Sequence, residues 1–118
     1  MYAKGLNKMK KYLLITTATN TEKEANFLAR ILLENRLISC CQITKINSSY
    51  WWNGKVVNDN EYLLQMKTKK ELYKEVENLI KKNHSYELPE IVAYEIENGS
   101  DEFLNWISTE TRGKTEKI

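Results

Sequence analysis

The chain has 118 residues, enough for one core and too few for two comfortable ones. Its net charge of +2 arises from 18 basic and 16 acidic residues spread along its length, which excludes the strong basic field of a nucleic-acid or anionic-membrane binder. Apolar runs such as Tyr12 to Ile15 fall far short of the roughly 20 residues a spanning helix needs.

Met1 to Lys10 is polar and without periodicity, so residues 1–10 are expected as a disordered N-terminal extension. The short, β-like stretch behind this basic start does not read as a signal peptide. Residues 11–110 are expected as one folded domain and 111–118 as a loose tail.

Tyr12 to Ala18 is apolar and β-branched and suits a central strand. Thr21-Glu22-Lys23-Glu24 has the form of a capping box, after which Ala25, Leu28, Ala29, Ile31 and Leu32 share one helical face up to a stop at Asn35. Leu37 to Ile46 reads as a strand whose imperfect alternation suggests a bulge or burial on two sides, interrupted by Asn47-Ser48-Ser49. Tyr50-Trp51-Trp52 resumes it, and Asn53-Gly54 is a strong type I′ hairpin signal because both central positions of that turn need φ > 0. The return runs through Lys55 to Val57 and Glu61 to Thr68.

Thr68-Lys69-Lys70-Glu71 reads as a second capping box, followed by an apolar stripe of Leu72, Val76, Leu79 and Ile80 with Glu77 and Lys81 as an i,i+4 pair. Asn83 to Glu90 is a polar loop holding the single histidine and the single proline. Ile91 to Ile96 is a fourth strand, and Asn98 to Asp101 turns into a short helix carrying Phe103, Leu104, Trp106 and Ile107. The order predicts an α+β, ferredoxin-like βαββαβ sandwich with a long β-hairpin and a short C-terminal helix.

Two functional expectations come from the residues themselves. The hairpin tip, Tyr50, Trp51, Trp52, Asn53 and Gly54, carries three consecutive aromatics that alternate between faces. One subunit can cover one face of such an arm; other copies of the chain are expected to cover the other, against the alternative that both faces fold back on their own sheet. The adjacent Cys40 and Cys41 point to opposite faces, which disfavours an ordinary disulfide and suits a reducing, cytoplasmic setting.

Several segments together resemble the CutA family. They are Leu13 to Ala18, Leu37-Ile38-Ser39-Cys40-Cys41, Tyr50-Trp51-Trp52-Asn53-Gly54-Lys55, Met66-Lys67-Thr68 and His84-Ser85-Tyr86-Glu87-Leu88-Pro89-Glu90-Ile91, with Asp101, Leu104 and Trp106 at the end. The resemblance spans about Lys11 to Thr109. It implies a trimer assembled through long hairpins, a role in tolerance to divalent cations, notably copper, and a cytoplasmic location. In some bacterial members the proposed copper ligands are a cysteine in the first strand and two successive histidines; carried over by position these are Thr16, Asn83 and His84 here. His84 and Cys40 are therefore the remaining candidate metal ligands, each with a plain alternative: a hydrogen-bonding histidine, and a small buried cysteine. One imidazole per subunit could also gather a metal where three copies converge. No cofactor is required by this reading, and copper or another divalent cation is the candidate metal.

The resemblance further implies that Trp52, Glu61, Lys67, Tyr86 and Glu90 gather at an inter-subunit cleft, either for a small anionic or zwitterionic ligand or as charges that set trimer register. No nucleophile–base spacing or phosphate-cradling glycine loop points to an enzyme. The main alternative is a PII-like small-molecule-sensing trimer without metal chemistry, although the tight Asn53-Gly54 turn replaces the long loop such sensors use. Glu61 to Thr68 lacks the aromatic, glycine-containing strand with which RNA-recognition domains stack bases, so nucleic acid ranks last.

Overall fold

The structure is a computed structural model and describes residues 11–114. The expected extension 1–10 lies outside the described residues, as do residues 115–118 of the expected tail. Strands β1 (Tyr12–Thr19), β2 (Cys40–Trp52), β3 (Lys55–Lys69) and β4 (Val92–Glu95) form one antiparallel sheet in the order β2-β3-β1-β4. Helices α1 (Glu22–Glu34) and α2 (Tyr73–Asn83) pack on one face of it, and α3 (Asp101–Glu110) closes the described chain. This is the expected ferredoxin-like arrangement.

β1 is central because its β-branched run pairs on both edges, Tyr12 to Thr19 with β3 and Leu13 to Thr16 with β4. Its Leu13 and Ile15 join Leu64 and Met66 of β3 beneath Ala25, Leu28 and Leu32 of α1 and Val76 and Ile80 of α2. Thr21 caps α1 by accepting from the Glu24 amide at 3.1 Å. Only half of the capping box forms: the Glu24 carboxylate turns away to a loop 61 residues on, where it accepts from the Ser85 amide at 2.7 Å and the Ser85 hydroxyl at 2.8 Å. The far end of α1 is a Schellman closure, with Arg36 N–H bonding Leu33 O and Leu37 N–H bonding Leu32 O, both at 3.0 Å. Arg36 takes the left-handed conformation, φ 56, where glycine is usual.

Three local expectations are corrected. Leu37 to Ser39 precedes β2 and does not belong to it, because the Ser39 amide and hydroxyl are both turned onto Lys67 O at 2.9 and 3.1 Å. Asn47-Ser48-Ser49 does not interrupt β2, and β2 and β3 pair without a bulge from Cys40↔Lys67 to Trp52↔Lys55. Asn58 bridges the polar stretch, donating to Asn47 Oδ1 at 2.9 Å and to Ser49 Oγ at 2.8 Å, so cross-strand side chains sustain the pairing. The second capping box does not form: Thr68 stays in β3 and donates to Leu37 O at 2.6 Å, and a 3₁₀ turn, Lys70–Leu72, leads into α2. The Glu77–Lys81 pair is present at 3.3 Å.

Ser100 caps α3 by accepting from the Phe103 amide at 3.2 Å. Past this helix the first residues of the expected tail make contacts with the fold. Thr111 is buried and donates to Ile107 O at 2.8 Å, while Arg112 reaches Glu75 of α2 at 2.6 Å.

β1 ends at Thr19, opposite Tyr62, so β2 and β3 run on beyond the sheet as a two-stranded arm. Asn53 (φ 51) and Gly54 (φ 76) turn it, the positive pair that a type I′ hairpin requires. The arm stretches the molecule to 54 × 29 × 21 Å. At its tip Trp51 is 73% and its cross-strand partner Val56 63% exposed, with Tyr50 and Trp52 exposed as well.

Candidate functional site

The chemistry gathers in the angle between the arm and the end of β1. The segment following α2 would be free to wander but for His84, whose side chain is fully buried. Its Nε2 lies 2.8 Å from Ala18 O, and its Nδ1 accepts from the Tyr86 amide at 3.0 Å. Those partners assign the ring proton to Nε2, since a carbonyl needs a donor and an amide needs an acceptor. Glu24 holds the next residue, Ser85, so the loop is pinned to β1 and to α1.

Thus fixed, the loop presents Tyr86 and Glu90 to the outer side of the sheet. The Tyr86 hydroxyl donates to Glu61 Oε2 at 2.7 Å, and Thr16 Oγ1 donates to Glu90 Oε2 at 3.1 Å. Glu61 is 7% exposed. On the arm, Tyr50 donates to Asp59, one diagonal step away across the hairpin. Both phenols are held protonated above their ordinary value: Tyr50, pushed up to about 12, by its bond to Asp59, and Tyr86 by burial and then by Glu61. A cavity of about 800 Å³ opens between arm and loop, bounded by Tyr50, Trp52, Glu61, Tyr86, Glu87 and Glu90.

Four of the five residues expected in a cleft, Trp52, Glu61, Tyr86 and Glu90, therefore meet within one chain. Lys67 does not join them. It lies six residues from Glu61 along β3, roughly 20 Å in an extended strand, and donates to Gln42 at 2.8 Å. Nor do the candidate metal ligands converge. Cys40 is level with Leu14, since both pair with Lys67, whereas His84 binds at Ala18, four residues and roughly 13 Å further along β1. Cys40 is half-buried, and both cysteines are free thiols. Cys41 packs against the core, and burial, with Cys40 beside it, pushes its thiol up to about 12. Thr16 is bonded to Glu90, and Asn83 Nδ2 donates to Leu79 O at 2.9 Å, closing α2. Among the described residues no three His, Cys, Asp or Glu side chains are grouped to hold one ion.

Two contributors escaped the sequence reading. Glu24 reads locally as the capping-box partner at its own helix, and nothing local signals a partner in another loop. Asp59 was legible, because the Asn53-Gly54 turn sets Tyr50 opposite Val57 and so places Asp59 on the face of Tyr50.

Residues 13–110 match the family described as CutA1 divalent ion tolerance protein. The chain belongs to that family. The CutA divalent-cation tolerance protein of Thermotoga maritima is 38% identical over 95 residues, 80% of this chain and 94% of that one. Its counterpart from Archaeoglobus fulgidus is 43% identical over 91 residues, 77% of this chain and 88% of that one. The crystal structure of CutA1 from Ehrlichia chaffeensis superposes with a TM-score of 0.83 at 34% identity, covering 88% of this chain and 98% of that one. The A. fulgidus structure, described as a periplasmic divalent cation tolerance protein, superposes with a TM-score of 0.83 at 37% identity, covering 84% and 97%. CutA1 membership also accounts for the sheet order and the long arm, since the superposition extends over nearly the whole domain. Among the described residues no helix is long and apolar enough to cross a membrane.

Proposed function

We propose that this CutA1 chain works as a cytoplasmic homotrimer in tolerance to divalent cations, copper among them, and that it binds metal weakly or indirectly and catalyses no reaction. The observation that carries the reading is the arm. Trp51 and Val56 face each other across the hairpin and are both more than half exposed, beyond any cover its own sheet offers. Aromatic side chains of this kind bury about 150–250 Å² each when covered, and further copies of the chain supply that cover. The separation of His84 from Cys40 and the hydrogen bonds at both histidine nitrogens support weak or indirect metal handling.

Light scattering tests the assembly. The protein is expected at three times its 13.9 kDa chain mass, and the double variant Trp51→Asp/Val56→Asp at the mass of one chain. A wild-type monomer at micromolar concentration, or an undisturbed trimer in the variant, refutes it. Calorimetric titration with Cu(II), Cu(I) and Zn(II) tests the metal reading: a tight heat that disappears in Cys40→Ser refutes weak or indirect binding.

One observation favours the second reading, a small-molecule-sensing trimer of the PII-like kind. It is the cavity of about 800 Å³ between arm and loop, within the range of small-molecule sites.

A further inference from the structure

The cavity has a definite electrostatic character. Glu61, Glu87 and Glu90 border it, and among the described residues no lysine or arginine does. Glu61 is nine-tenths buried and borders the cavity, and among the described residues the hydrogen bond it accepts is from Tyr86 to Oε2. A buried carboxylate is stable only when charge or donors compensate it. Tyr86 supplies one such donor, and a positive charge in the cavity that Glu61 borders would supply the opposite charge. Tyr50 and Tyr86 add rings and add no charge, since their hydroxyls keep their protons while donating to Asp59 and Glu61. Trp52 supplies an indole, the strongest of the side-chain partners for a cation over its face.

The same geometry argues against a bare metal ion. A hard divalent cation needs about six oxygens converging on one point, and among the described residues no three carboxylate, imidazole or thiolate groups do so. Negative charge distributed around a roomy, ring-lined space instead matches a polyatomic cation, in which an ammonium head meets Glu61 while an apolar body lies against the aromatics. Lys67, the basis for expecting an anion or a zwitterion, is bonded to Gln42 elsewhere on the sheet.

We propose that this cavity binds a small organic cation, a primary ammonium on an apolar or aromatic body, with Glu61 as its counter-ion. The proposal rests on the second reading above, that the cavity is a ligand site, and gives that site its chemical class.

The test uses the assembled protein at low salt and three probes of nearly one shape: phenethylammonium chloride, neutral 2-phenylethanol and anionic phenylacetate. Binding is followed to millimolar concentration by calorimetry and by tryptophan fluorescence. Phenethylammonium is expected to bind at least about tenfold more tightly than either other probe, the scale of one hydrogen bond to a charged group. Glu61→Gln is expected to abolish that preference while leaving the light-scattering mass unchanged. Should that variant not fold, Glu90→Gln, altered at an exposed position, is expected to weaken phenethylammonium binding severalfold and leave 2-phenylethanol unaffected. Equal or tighter binding of phenylacetate or 2-phenylethanol overturns the cation assignment and leaves a ligand site standing. If none of the three binds, the assembly's own side chains fill the space, and both the assignment and the ligand-site reading fall.

Discussion

Replacing His84 by alanine separates a strut from a ligand. The ring is 0% exposed and joins two elements distant in sequence, with Nε2 at 2.8 Å from Ala18 O and Nδ1 at 3.0 Å from the Tyr86 amide. Alanine deprives one carbonyl and one amide of their partners, at about 1–3 kcal/mol each when both stay buried. Water entering from the neighbouring cavity recovers part of that, so the expected loss is about 2–4 kcal/mol. Urea unfolding at fixed protomer concentration measures it, the concentration being held because assembly adds to apparent stability. Calorimetry with Cu(II), Cu(I) and Zn(II), run on the folded variant, supplies the second readout and is expected to match wild type. A variant as stable as wild type within about 0.5 kcal/mol, the ordinary range of an inconsequential surface change, that has also lost a metal heat would refute the strut and restore the ligand.

Further outcomes follow from other positions. Gly54→Ala places a Cβ where nothing lies within 4 Å, so only the φ of +76 opposes it, and urea unfolding should show a loss of about 1 kcal/mol; no loss would mean the turn is not held in that conformation. Tyr50 is raised to about 12 by its bond to Asp59, so the folded state holds that proton more tightly than the unfolded state, whose value is about 10. Its contribution is complete below pH about 10 and is lost as the pH rises through about 12; Tyr50→Phe should flatten that alkaline decline in urea midpoints, and identical declines would exclude the Asp59 bond as its source. Cys41, raised to about 12 by burial, should alkylate at pH 8 far more slowly in native Cys40→Ser than in the same variant in urea, and equal rates would show that the thiol is not shielded.

The fold was legible because its signals are local. The β-branched run at Tyr12, the stripe through Ala25, Leu28 and Leu32, and the Asn53-Gly54 turn each specify geometry within a few residues, and together they leave one order of elements. The errors arose where tertiary partners decide. Thr68-Lys69-Lys70-Glu71 satisfies the capping pattern, but Leu37 O offers the threonine hydroxyl a buried acceptor at 2.6 Å, and the strand keeps it. Asn47-Ser48-Ser49 has turn composition, and only the hairpin register shows that Asn58 lies across from it to share hydrogen bonds. For the site, the residue types were legible and their grouping was not. Glu61 and Lys67 are near in sequence on one strand, and strand rise, at roughly 3.3 Å per residue, separates them.

That separation bears on where this chain could hold a metal, since among the described residues no three ligand side chains are grouped. The three positions to which the resemblance assigns metal ligands are all engaged in hydrogen bonds, two of them at the cavity's walls. Thr16 fixes Glu90, Asn83 closes α2, and His84 ties the Tyr86 loop to β1. Recruiting His84 for a metal would undo the hydrogen bonds that hold the Tyr86 loop against β1, where Tyr86 meets Glu61. Tight metal binding at His84 and an intact cavity are thus alternatives in one chain. The burial of the histidine on hydrogen bonds at 2.8 and 3.0 Å favours the cavity over a ligand role for that ring.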